Sequence, residues 1–130
     1  MKFTKATNYA LHTMLALIEA SSDKSIGVQQ LAESQRVSPT YLSKVLSRLV
    51  KAGMIQSVSG VNGGYQLSCK KNDITFLDII QAIEGSASLF VCDFVHGEEC
   101  LIQAVMKEAE EEMGSHLKII KLVDLVRNQT

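Results

Sequence analysis

Proline is almost missing from this 130-residue chain, which has a single one at Pro39, and that scarcity leaves no material for a long proline-rich linker. Charge is modest as well: 21% of residues are Asp, Glu, Lys or Arg against 46% hydrophobic, the balance of a chain that folds into a globular core. No stretch reaches the roughly 18 consecutive apolar residues of a membrane span, and the N-terminus lacks the basic-then-apolar layout of a secretory signal. A cytoplasmic protein with no membrane partner is expected. Three cysteines, Cys69, Cys92 and Cys100, are too few and too oddly numbered for a disulfide framework. There is no Cys-x-x-Cys pair, no phosphate-binding glycine loop and no catalytic-triad spacing, so an enzyme is not expected. No internal repeat is visible either.

Net charge is also nearly absent, a formal −1, which by itself speaks against a nucleic-acid partner. The distribution says otherwise. Residues 1–71 hold nine Lys or Arg against three acids, a formal +6, whereas residues 72–130 hold four against eleven, a formal −7. Such asymmetry points to a basic binding surface built by the first half.

Apolar positions Tyr9, Ala10, Met14 and Leu17 recur at helical spacing between Thr4 and Ala20, and the polar run from Ser21 to Ser25 ends that helix. A short second helix follows through Gln30 to Glu33. Ser38 is a natural N-cap and Pro39 suits the first helical position, so a third helix starts there. Its inward stripe is Leu42, Val45, Leu46, Leu49 and Val50, leaving Thr40, Tyr41, Ser43, Lys44, Ser47, Arg48 and Lys51 outward, and Gly53 closes it. Two short alternating segments, 54–58 and 65–68, flank the glycine-rich stretch Gly60 to Gly64 and form a hairpin. Thr75 can cap a fourth helix that Gly85 stops. Periodicity fades from Ser86 to Gly97, a loop carrying Cys92 and His96. A long helix then begins at Glu98, with Leu101, Ala104, Val105 and Ala109 on an apolar side that needs a partner.

Helix, short helix, turn, outward-polar helix and glycine-tipped hairpin are the order of a winged helix-turn-helix. The expected fold is therefore mainly α with a small β-hairpin: a DNA-binding unit over residues 1–85, then a sensor loop, a dimerisation helix and a C-terminal segment over 86–130. In that frame Thr40, Tyr41 and Ser43 approach base edges of double-stranded DNA, and Lys44, Arg48 and Lys51 reach phosphates. Asn62, Gly63 and Gly64 bring the wing backbone close to a groove. The competing readings are a solvated helix face, or a winged module that docks another protein.

These residues resemble the Rrf2 (Rrf-two) family of bacterial regulators of iron-sulfur, nitric-oxide and cysteine metabolism. Three stretches carry the resemblance: Asn8-Tyr9-Ala10-Leu11, Val37 to Leu42 with Leu46-Ser47-Arg48-Leu49, and Gly60 to Tyr65; the late Leu122 to Val126 also matches. The resemblance implies a homodimeric repressor or activator, with a repressor expected, pairing through the helix after the sensor loop and reading a palindromic operator. Carried over by position, Ser38, Thr40, Tyr41, Ser43, Lys44 and Arg48 are its recognition-helix contacts, with Gly63 and Gly64 in the wing. One departure is that Ser59 and Asn62 stand where the family often has arginine, which puts minor-groove reading by an arginine in question.

Cluster-binding members resemble one another in three cysteines spaced about six apart. Here Cys92 fits the first position, Cys100 follows after seven residues, and Ile102 to Met106 stand where a third belongs. An iron-sulfur cluster would need Cys69, His96 or another group as ligand. The alternative, a thiol switch in which Cys92 or Cys100 is oxidised or alkylated with no cofactor, is preferred, beside the plain reading of cysteines as small buried hydrophobes.

Overall fold

The computed structural model describes residues 3–20, 24–68, 70–90 and 100–127. Six helices and one hairpin follow one another there: α1 (Lys5–Glu19), α2 (Val28–Gln35), α3 (Pro39–Lys51), β1 (Ile55–Val58), β2 (Gly64–Leu67), a 3-10 turn (Lys71–Asp73), α4 (Phe76–Glu84), α5 (Leu101–Ile119) and α6 (Leu122–Arg127). The mainly helical fold with a small hairpin is the one the sequence predicts.

Local chemistry fixes the boundaries. Ser38 caps α3, its Oγ accepting the Tyr41 amide at 3.0 Å, with Pro39 in the first turn where no amide is needed. At the other end the Gly53 amide meets the Val50 carbonyl and the Met54 amide meets that of Leu49, a Schellman closure with Gly53 at φ +77°. Thr75 and Asp78 form a reciprocal capping box at the start of α4, both bonds 3.1 Å.

One core serves all the elements except α5 and the 3-10 turn. Met14 from α1, Leu31 from α2, Leu42, Leu46 and Leu49 from α3, Ile55 from β1, Ile79 from α4 and Leu122 from α6 are fully enclosed in it. Truncating any such leucine to alanine costs roughly 2–5 kcal/mol. Val50 departs from its expected place in the inward stripe: it is 38% exposed, because the buried arc of α3 is satisfied by Leu42, Val45, Leu46 and Leu49. The buried Thr13 hydroxyl accepts from Gln35 Nε2 at 2.8 Å, joining α1 to α2.

Two features have no periodic signature. Ile26 forms a bridge with Tyr65, through mutual bonds of 2.9 and 2.8 Å, and so adds a third short edge to the wing. The chain breaks after α5 at Ile120, where Thr75 and Lys121 bridge and Ile120 accepts the Phe76 amide, which turns α6 back onto α1.

Candidate nucleic-acid interface

Helix α3 is held on three sides, by α1, α2 and α4, and also packs against β1. Its remaining face exposes Thr40, Tyr41, Lys44, Ser47, Arg48 and Lys51, while Ser43 is half-buried at its edge and Ser38 is engaged in the cap. Thr40, Tyr41 and Ser43 lie in the first turns, at the end of a recognition helix that approaches bases. The Tyr41 ring stands edge-to-face on Tyr9 of α1, centroids 5.7 Å apart at 81°, which orients the aromatic without enclosing it. The Ser47 hydroxyl donates back to the Lys44 carbonyl at 2.8 Å.

Arg48 differs from the two lysines. Its Nη1 donates to the Ile83 carbonyl at the end of α4, 3.2 Å away, so one of its donors is turned inward. Neighbouring Glu84 accepts at Oε2 from the Thr4 amide and from the Thr4 and Thr7 hydroxyls at 2.9, 2.6 and 2.7 Å. Partial burial pushes the Glu84 pKa up, but these hydrogen bonds and the Arg48 charge outweigh it and hold the carboxyl below its ordinary value.

The wing hairpin pairs Ile55 with Leu67 through to Val58 with Gly64. Its tip is Val61, fully exposed, with exposed Asn62 beside it. Gly63 and Gly64 lie back from the tip and are half-buried. A Cβ on Gly63 would sit 2.3 Å from the Val58 carbonyl oxygen, and one on Gly64 would sit 2.5 Å from the Ile26 backbone. The two glycines therefore let the hairpin close on itself and on Ile26, which is a sufficient reason for their presence.

A cleft of about 440 Å³ separates the wing from the start of α2, lined by Lys24, Ser25, Gly27, Gln30, Asn62 and Gly63. Lys24, Ser25 and Gln30 are interface candidates that the periodicity of the sequence leaves unmarked, since Lys24 falls in a polar connection. Only their meeting with Asn62 across the cleft singles them out.

The candidate sensing residues and possible cluster ligands are unevenly visible. Cys92, His96 and Cys69 lie outside the described residues. Cys100 holds the N-cap position of α5, half-buried, its carbonyl accepting the Ala104 amide at 3.0 Å. Among the described residues no three His, Cys, Asp or Glu side chains gather as metal ligands. Of the three cysteines in the chain only Cys100 lies among the described residues, and no cysteine stands between Ile102 and Met106, where the family's cluster spacing puts a third. Of the other histidines, His12 donates from Nδ1 to the Asn8 carbonyl at 2.8 Å, and His116 is exposed near the end of α5.

No residue of α5 is buried. Leu101 is 81% exposed, Ile102 67% and Val105 65%, with Met106 and Ala109 continuing the same stripe. Glu108, Glu111 and Glu112 are exposed, whereas Glu110 is half-buried and accepts the Leu89 amide at 2.9 Å.

Comparison with known proteins agrees with this geometry. The Rrf2 family, described as iron-dependent transcriptional regulators, matches residues 3–128. The HTH-type transcriptional regulator IscR of Xenorhabdus nematophila is 32% identical over 133 residues, covering 99% of this chain and 81% of its own length. Among solved structures, CymR, the global cysteine regulator of B. subtilis, superposes with a TM-score of 0.83 at 25% identity, covering 100% of this chain and 99% of its own. An oxidized form of Staphylococcus aureus CymR gives 0.76 at 27%, covering 94% and 93%.

Proposed function

Because the chain belongs to the Rrf2 family of winged helix-turn-helix transcriptional regulators, we propose that it is a homodimeric repressor that reads a palindromic operator and is released by modification of Cys92 or Cys100. The observation that carries the DNA half of this reading is α3, whose Leu42, Val45, Leu46 and Leu49 enter the core while Thr40, Tyr41, Lys44 and Lys51 are left outside. Thr40, Tyr41 and Ser43 meet base edges, and Ser38 sets the helix start. Lys44 and Lys51 meet phosphates, as do Lys24 and Asn62 at the wing cleft. Gly63 and Gly64 shape the wing that carries Asn62.

The unburied apolar stripe of α5 supports the dimer, since a second copy related by a two-fold axis would cover it. Two such copies present two recognition helices, which is why the operator is palindromic. The missing cysteine after Cys100, where Ile102 to Met106 stand instead, favours thiol chemistry over a cluster. Its redox form is balanced as two thiols losing two electrons and two protons to a peroxide or quinone to give a disulfide.

Lys44→Ala tests the DNA reading. Its operator affinity should fall, and the slope of log affinity against log salt should become shallower by about 0.9 per protomer, the share of one phosphate. An unchanged slope would remove Lys44 from the backbone contacts. Anaerobic iron and sulfide analysis followed by intact mass after peroxide or quinone tests the sensing half, and stoichiometric iron would overturn the thiol reading.

A further inference from the structure

Arg48 and Glu84 meet at one place, the C-terminal end of α4. The Ile83 carbonyl belongs to the last turn of that helix, where carbonyls have no intrahelical donor and carry negative partial charge. Arg48 supplies the donor from α3 at 3.2 Å, so the bond satisfies an orphan acceptor and joins two helices. Glu84, the next residue, spends one carboxylate oxygen on three donors at the start of α1, where Thr4 is the N-cap residue. The Arg48 charge favours the ionised carboxylate. Recognition helix, first helix and fourth helix are thereby tied at one point by two adjacent residues. Gly85 follows at once with φ +79°, and the chain beyond it leads toward Cys92.

We propose that Arg48 and Glu84 are positioning residues for DNA binding, a latch across the end of α4 that fixes the angle at which α3 meets the duplex, and that Arg48 does not contact phosphate. The inference rests on the DNA-binding reading and deepens it. A guanidinium has five donors on one planar fork, and engaging one of them on a helix-end carbonyl sets the orientation of the rest. Lys44 and Lys51 have no such tether among the described hydrogen bonds and remain the phosphate contacts.

The probe is a fluorescent duplex selected from random sequence by the wild-type chain, with a scrambled copy as control, titrated over a range of salt. Failure of the wild-type chain to enrich any duplex would bring down the DNA-binding reading and this proposal with it. With a selected duplex in hand, Arg48→Ala and Glu84→Ala should each weaken it by about tenfold, the loss expected for a hydrogen bond to a charged group. Both should bind the scrambled duplex at low salt as the wild type does, and both should keep the wild-type salt slope. The double variant should be no worse than the worse single. A slope shallower by about 0.9 per protomer in Arg48→Ala would put Arg48 on a phosphate and overturn the assignment. Equal losses on both duplexes would reduce the pair to support of the fold, and unchanged affinity for the selected duplex would remove it from recognition. Glu84→Gln covers the case in which Glu84→Ala misfolds: it should lose discrimination with an unchanged circular dichroism spectrum, and wild-type discrimination in that variant would also overturn the latch.

Discussion

Ile102→Ala should weaken self-association without harming the fold. Ile102 is two-thirds exposed on α5, and none of the residues of that helix enters the core. Covering an isoleucine side chain completely is worth about 1.5–3 kcal/mol, so covering the exposed two-thirds at a dimer contact is worth roughly 1–2 kcal/mol. A two-fold interface counts each substitution twice. Alanine keeps only part of the area, and the upper bound on the loss is therefore roughly 2–4 kcal/mol per dimer, or about 30- to 700-fold in the dissociation constant. Sedimentation equilibrium over a wide concentration range reads the constant directly, with urea denaturation of the variant at low concentration as the check on the monomer fold. A wild-type chain that stays monomeric at high concentration would refute the dimer. An Ile102→Ala dimer of undiminished affinity would refute the assignment of this stripe to the interface.

Gly64→Ala should destabilise the wing by about 2 kcal/mol or more, since the added Cβ would lie 2.5 Å from the Ile26 backbone and the residue has φ +151°. The check is the urea midpoint, and a wild-type value would mean that Ile26 can move aside. Glu84 should make stability depend on pH in the acid range. Its folded pKa is lowered below the ordinary 4.5, so the stabilisation is present in full above that value and is lost as pH falls through the lower folded value. Glu84→Gln should remove this part of the acid-side slope in denaturant titrations at stepped pH, and an unchanged slope would show that the carboxylate is not tied to α1 in solution.

The parts of the fold that could be read in the sequence are those decided within a turn or two of chain. Ser38-Pro39, Gly53 and Thr75 each mark a helix end through neighbours three to five residues away, and with periodicity they locate α3 and α4, while α1 follows from periodicity and the polar run after it. Val50 was misread because a helical stripe gives the direction of a side chain but not the width of the core that receives it. The Ile26–Tyr65 bridge joins residues 39 apart, and a single extended residue has no period to detect.

The candidate site divides along the same line, and Arg48 shows why. Its place on α3 puts it on the outward face with Lys44 and Lys51, where a basic residue reads as a phosphate contact. A helix periodicity cannot register that the last turn of α4 leaves a carbonyl needing a donor, or that a guanidinium is long enough to reach it across the surface. Gly64 likewise reads in the sequence as a wing residue near a groove, while the Ile26 backbone that leaves no room for its Cβ has no signature there. In both cases the residue type was noticed and the neighbour that demands it was not. Candidate recognition residues on an exposed helix therefore have to be sorted by what their far atoms already hold: the ammonium groups of Lys44 and Lys51 have no bond among the described hydrogen bonds and are the proposed phosphate contacts, and Arg48, engaged at α4, is proposed to aim them.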